Sequence, residues 1–306
     1  MTGTLTSTLT KEVGVPETSS PTVWRRWLAL ELTRLRQEAG LDQKDVAKAL
    51  RCTVGKVSYY ETAERPVLIR DLDEVLLPLF NVPMERWPDY VQAAKNSRQK
   101  GWWESHGSDT LPSWFSLFIG LEQGASQARI YEAQFIPGLL QTRQYASALL
   151  RRSTAERAED EIERAVQLRL NRQRVLSRSP EPLRLWTVID EAALRRVVGS
   201  PQVMRDQLLH LAGAAEQPKI TVQVIPFTRG AHPGMTGPFV VIGFPWLTDP
   251  GVAYIEHRSG ALYLEQPHEI EAHNVAFEHL CALALTPDES ARMLRDIAEE
   301  FDHDQT

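Results

Sequence analysis

The sequence predicts an α+β protein: an all-α N-terminal third followed by a mixed α/β domain around a modest sheet. Three observations predict it. Apolar residues between Leu28 and Lys100 recur at the 3.6-residue helical period. Beyond Gly101, short β-branched runs such as ITVQVIPF (220–227) are interleaved with helical patterns. The 306 residues, 42% hydrophobic and 24% charged, also suffice for about two ordinary domains.

The elements follow in order. Residues 1–21 hold Thr, Ser, Pro and Gly without periodic apolar residues, so a disordered tail is expected there, with no signal-peptide pattern. Leu28, Leu32, Leu35 and Ala39 share one helical face that stops at Gly40. Asp42 is a candidate N-cap for a short helix with Val46, Ala47 and Leu50 inward, and Thr53 for a third helix with Val57 and Tyr60 inward. Ile69 to Phe80 marks a fourth helix, ended by Asn81-Val82-Pro83. Pro88 suits the first turn of a fifth, running towards Lys100. This divides the chain into a tail (1–21), a helical domain (22–80), a connecting helix (81–100) and a C-terminal α/β domain (101–306).

In that last part, Trp102, Trp103, Trp114 and Phe115 are expected to seal a junction, and 113–122 reads as helix. A strand is expected over 129–136, a helix from Thr142 to Arg152 and a charged helix over 156–176 with a solvated face. Strands follow at 184–189, 220–227, 239–244 and 253–257, the last joined through Arg258-Ser259-Gly260 to 262–264 as a hairpin. Ser200-Pro201 starts a helix to Ala215, and helices over 267–283 and 287–301 close the chain.

Composition excludes wholesale disorder and collagen-like repeats, and no stretch approaches the roughly 18–20 apolar residues of a membrane span. Cys52 and Cys281 offer neither a disulfide framework nor a metal ligand set. A cytoplasmic protein without membrane attachment, metal or cofactor is expected. The net charge of −6 is unevenly distributed. Residues 22–100 hold 14 basic and 11 acidic residues, whereas 101–306 hold 19 and 27. Between Trp24 and Tyr60 the count is 8 basic to 4 acidic, which fits phosphate binding by that module and equally an ordinary solvated face.

One constellation has mechanical content. Two short helices joined by a tight turn and packed on a preceding helix form the arrangement that lays a helix in the DNA major groove. Ala47 is small enough for the helix crossing. Thr53, Lys56, Ser58 and Tyr59 give the second helix a polar outer face, and Gln43 can grip a phosphate beside the N–H groups opening the first. Across these residues, LALELTRLRQEAGLDQKDVAKALRCTVGKVSYYET resembles the lambda-repressor-like (XRE-type) helix-turn-helix, matching it at Leu32, Leu35, Arg36, Gly40, Leu41, Gln43, Ala47, Leu50, Lys56, Ser58 and Glu61.

The resemblance implies that Gln43 and Lys44 lie at the DNA backbone, that Thr53, Val54, Gly55, Lys56, Ser58 and Tyr59 form the reading surface, and that Glu61 is structural, paired to Arg34 or Arg36. Three departures stand out. Arg51 replaces a glycine where φ > 0 is wanted, which costs on the order of 1 kcal/mol. Gly55 weakens the reading helix by roughly 1 kcal/mol relative to Ala. Val54 supplies no hydrogen bond, though it can touch a thymine methyl.

Downstream, Gly101-Trp102-Trp103, SWFSLFIGLEQGASQARIYEAQFIPGLLQTRQYASALLR, VIDEAALRRVVG, TVQVIPFTRGAHPGMTGPFVVIGFP and AYIEHRSGALYLE resemble the large C-terminal domain of unknown function in actinobacterial helix-turn-helix regulators. That resemblance implies the antitoxin-like member of a two-gene unit, whose neighbouring gene encodes a small partner protein. The expected function is a sequence-specific transcriptional regulator, not an enzyme, acting on double-stranded DNA as a homodimer. Control by a small ligand is the alternative, and an enzyme carrying a DNA-binding module a third reading. Glu122, Glu132, Asp190, Glu191, Glu256, His257 and Glu265 invite a catalytic story. Forty acids, however, place several near strand ends by chance, and no catalytic residue is assigned. The Gly230–Gly237 loop fits no phosphate-binding pattern, and His232 and His257 lack partners at zinc-ligand spacing.

Overall fold

A computed structural model describes residues 20–106, 111–153, 158–246 and 249–303. The chain divides into two compact units. Of the described residues, those within Trp24–Asn96 and Pro245–Asp249 form the smaller, and those within Ser97–Phe244, Pro250–Thr306 and Ser19–Val23 the larger. Most of the expected tail lies outside the described residues, but its last residue does not belong to a tail. Pro21 opens α1 (Pro21–Glu38), a position its fixed φ suits, and Ser20 Oγ accepts from Val23 N at 3.4 Å.

In the smaller unit, α1 ends in a left-handed cap. Gly40 has φ +70°, Leu41 N donates to Arg36 O (3.1 Å) and Gly40 N to Gln37 O (3.0 Å). Asp42 then caps α2 (Gln43–Ala49) through a capping box with Asp45, and Thr53 caps α3 (Val54–Glu61). Between them the same left-handed cap recurs without glycine. Arg51 has φ +52°, and Cys52 N donates to Ala47 O at 2.9 Å.

The expected fourth helix is α4 (Ile69–Asp71), a π-helical Leu72–Leu76 and α5 (Leu77–Leu79). Pro78 accounts for the widened turn, because its ring and missing N–H exclude a regular helix across the preceding residues. α6 (Trp87–Asn96) stops short of Lys100. Leu28, Leu32, Leu35, Val46, Ala47, Val57, Tyr60, Leu72 and Leu76 are all buried, so the core uses the faces that periodicity selects.

The larger unit contains α7 (Ser113–Gly124), β1 (Gln127–Glu132), α8 (Arg143–Ser153), α9 (Glu159–Arg172), β2 (Arg184–Asp190), α10 (Glu191–Arg195) and α11 (Pro201–Ala214). It continues with β3 (Ile220–Ile225), β4 (Phe239–Gly243), β5 (Val252–His257), β6 (Gly260–Leu264), α12 (Pro267–Leu283) and α13 (Pro287–His303). The sheet order is β3-β2-β1-β4-β5-β6; β1, β2 and β3 are parallel and β4 to β6 antiparallel. One face meets α12 through Tyr131, Val188, Phe239, Val241, Phe277 and Leu280. On the other, Phe118 of α7 packs against Tyr254 of β5, the ring centres 4.2 Å apart and the planes tilted by 30°.

Three expectations change here. β1 stops at Glu132 and not at Ile136, because Ile136 spends its backbone groups on side chains: its N–H goes to Tyr145 Oη (3.2 Å), and its carbonyl accepts from Gln141 Nε2 (2.6 Å). The charged helix begins within the described residues at Glu159 and tightens to a 3-10 turn over Gln173–Leu176; Glu156 lies outside them. Ile162 and Val166 are buried, as the apolar side of an amphipathic helix should be, but so is the charged Arg172. Trp102, Trp103 and Phe115 join a core cluster with Ile119 and Leu168 inside this unit.

Candidate nucleic-acid interface

The α2–turn–α3 pair is held from two sides. On one, Arg36 grips Glu61 with two bonds (2.6 and 3.0 Å) and donates to Leu41 O (2.9 Å), so α1 fixes the end of α3. The Glu61 carboxylate raises the Arg36 pKa above its ordinary value. Gln43 Nε2 also donates to Glu61 Oε2 at 2.9 Å. Gln43 is therefore anchored inward by one amide hydrogen. Lys44 is exposed, its backbone N–H held by Asp42 at 2.8 Å.

On the other side, Lys56, its side chain a third exposed, leans onto α4. Its Nζ lies 2.5 Å from Asp71 Oδ2 and 5.5 Å from the centre of the Tyr60 ring. Tyr60 Oη donates to the same carboxylate oxygen at 2.8 Å, and Asp71 is 6% exposed. The hydrogen bond to Asp71 raises the Lys56 pKa. The sequence placed Lys56 on the outer face; the structure makes it a strut between α3 and α4. Only the fold reveals this, because Asp71 is 15 residues away on another element.

The exposed surface of α3 comprises Thr53, Val54, Gly55 and Tyr59, with Ser58 half-buried beside them. Thr53 Oγ1 accepts from Lys56 N at 3.4 Å, and a Cβ added at Gly55 would meet nothing nearer than that oxygen at 3.9 Å. The Arg65 guanidinium stacks on Tyr59 at 4.9 Å. Periodicity could not have selected Arg65, which lies in the turn after α3. Lys44, Lys48, Arg51 and Arg65 are exposed around this surface.

The acids of the larger unit separate into roles. Glu122 is buried in a two-bond pair with Arg172 (2.8 and 2.9 Å). Asp190 caps α10 and lies 3.3 Å from His232 Nε2; Glu191 pairs with Arg195 and accepts from Phe227 N. Glu256 accepts from Tyr254 Oη at 3.0 Å, and His257 is exposed. In the Gly230–Gly237 loop, a Cβ at Gly234 would lie 2.3 Å from the Tyr131 ring, so that glycine answers close packing. Among the described residues, no three His, Cys, Asp or Glu side chains are grouped to hold a metal, and no helix is long and apolar enough to cross a membrane.

This geometry is that of a helix-turn-helix protein, and residues 27–79 match the family model of a helix-turn-helix domain. Such a domain marks the chain as a DNA-binding regulator. Residues 115–296 match the domain of unknown function DUF5753. The chain belongs to that family. No curated protein and no solved structure matches it.

Proposed function

We propose that this protein is a sequence-specific transcriptional regulator that binds promoter DNA through α3. The observation that carries this reading is the exposure of Thr53, Val54, Gly55 and Tyr59 on a helix braced by Arg36–Glu61 and Lys56–Asp71. A braced helix presents its side chains to base edges without paying to order them on binding. Gln43, with its second amide hydrogen, and Lys44 contact the phosphate backbone. Thr53, Val54, Gly55, Ser58 and Tyr59 face the bases, with the Val54 methyls suited to thymine. Lys56 serves as a positioning residue. Arg51 and Arg65 add counterion release.

The protein acts as a homodimer, reading half-sites about one helical turn (~34 Å) apart. It belongs in the cytoplasm at the nucleoid. Resemblance to antitoxin-like regulators supports control through the C-terminal domain by a small protein from an adjacent gene. Genome-wide mapping of bound sites, with and without that gene, tests both parts. Loss of discrete sites on Tyr59→Ala supports the reading surface, and an occupancy profile unchanged by deletion of the gene removes the partner.

A further inference from the structure

The strand order places β2 and β3 on one side of β1 and β4 to β6 on the other, so the chain reverses direction across the sheet at β1. In open α/β sheets, ligands bind outside the carboxyl end of the strand at such a switch point. That end of β1 carries Glu132. Continuing the registers from Tyr131↔Phe239 and Val240↔Tyr254 brings Glu132 and Glu256 to the same level on either side of Pro238. The two carboxyls therefore share one face of the sheet, with Cα atoms about 10 Å apart.

Arg169 of α9 faces them. Its Nη1 donates to Gln141 Oε1 at 2.6 Å, and that buried amide is itself fixed on Ile136 O. The remaining Arg169 donors have no protein acceptor among the described residues. Glu132 Oε2 is buried and likewise has no hydrogen-bond partner. Arg169 is near enough to act on Glu132 electrostatically, yet the two form no ion pair. Glu132 and Arg169 are partly exposed and Glu256 is exposed, so a ligand can reach the three from solvent, and the buried, unpartnered Glu132 oxygen is costly unless something bonds to it.

We propose that Glu132, Glu256 and Arg169 form a binding site for a small zwitterionic amine of the amino-acid class. The ammonium lies between the two carboxyls and the ligand carboxylate on the Arg169 fork, whose planar donors suit it. The surrounding groups fit this polarity. Tyr254 already donates to Glu256, the Tyr145 hydroxyl from α8 accepts from Ile136 N, and Arg172 is neutralised by Glu122 of α7. Burial and then the Glu256 charge push the Glu132 carboxyl up to about 8, and burial and then Arg172 push Arg169 down to about 10. An ammonium beside Glu132 restores its carboxylate, so binding at neutral pH releases a proton.

The test is thermal-shift screening of the full chain with each of the twenty common α-amino acids, β-alanine and 4-aminobutyrate. Titration calorimetry of any hit follows, in two buffers of different ionisation enthalpy. The expected result is at least one ligand that raises the melting temperature and releases protons. Its decarboxylated amine and its deaminated acid each bind at least tenfold more weakly, and Glu132→Gln, verified as folded by its own unfolding transition, abolishes binding. Silence across the whole panel overturns the proposal, as does full affinity in Glu132→Gln or in either singly charged analogue. Operator binding is measured separately, so failure of either reading leaves the other standing.

Discussion

Lys56 Nζ and Asp71 Oδ2, 2.5 Å apart, tie the reading helix to the helix that follows it, and Tyr60 closes the same carboxylate from below. Removing the cation leaves a buried carboxylate with one donor. Because the Lys56 side chain is 34% exposed, the loss is moderated by solvent, and Lys56→Ala is expected to destabilise the protein by about 1–2 kcal/mol. Asp71→Asn in the same chain should recover part of that loss. Chemical unfolding of the four proteins of the cycle measures the coupling, and strictly additive effects would disprove the strut.

Tyr59→Ala and Val54→Ala probe the exposed surface of the same helix. Both side chains are over a third exposed, so stability should change by no more than about 0.5 kcal/mol. Operator affinity at ~150 mM salt should fall about tenfold or more for Tyr59→Ala, with non-specific affinity nearly unchanged. Competition gel shifts with operator and random duplexes separate the two. Parallel loss on both would make Tyr59 a backbone contact.

Arg51 holds φ +52° in the turn between α2 and α3. An L side chain there costs roughly 1–2 kcal/mol, of which glycine's greater unfolded-state freedom takes back a part. Arg51→Gly is expected to stabilise the smaller unit by about 0.5–1 kcal/mol in urea unfolding. If Arg51 also releases a counterion from DNA, the slope of log affinity against log salt becomes shallower by about 0.9.

The parts of this fold legible in the sequence are those set by local rules. Asp42, Thr53 and Ser200 each cap the helix expected of them, and the two-residue hairpin at Arg258-Ser259 joins β5 to β6. What escaped depends on partners distant in sequence. Ile136 reads as strand because it is buried and apolar, yet side chains from Gln141 and Tyr145 take its backbone groups. Lys56 reads as a surface cation until Asp71 is placed beneath it. Arg172 reads as one more charge on a solvated helix, although its partner Glu122 is 50 residues away. Glu132 and Glu256 were visible as acids, but only the strand registers bring them level.

Glu132 makes stability depend on pH in a direction opposite to that of an ordinary carboxylate. In the unfolded chain it ionises near 4.5, whereas the folded protein holds its proton up to about 8. Across that window the native state binds more protons, so unfolding free energy falls as pH rises. The urea midpoint should drop between pH 5 and pH 8, and Glu132→Gln should flatten that part of the profile. An unaltered slope in the variant would assign the pH dependence to other groups.

The Arg172–Glu122 pair separates what a buried ion pair contributes from what its disruption costs. The two side chains are 8% and 3% exposed, and the guanidinium also lies 4.9 Å over Phe115 and 5.4 Å over Phe118. Arg172→Ala strands the Glu122 carboxylate in that apolar setting, so a loss of about 3–5 kcal/mol is expected. For a unit of this size, the melting temperature should fall on the order of 10 °C. Replacing both members, as Arg172→Met with Glu122→Leu, removes the stranded charge and keeps the volume. Calorimetry should find the double variant within about 1–2 kcal/mol of the wild type, since apolar substitutes for buried pairs are commonly neutral or stabilising. A double variant as unstable as Arg172→Ala would instead mean that the pair, with its hydrogen bonds and ring contacts, sets the seating of α9 on α7.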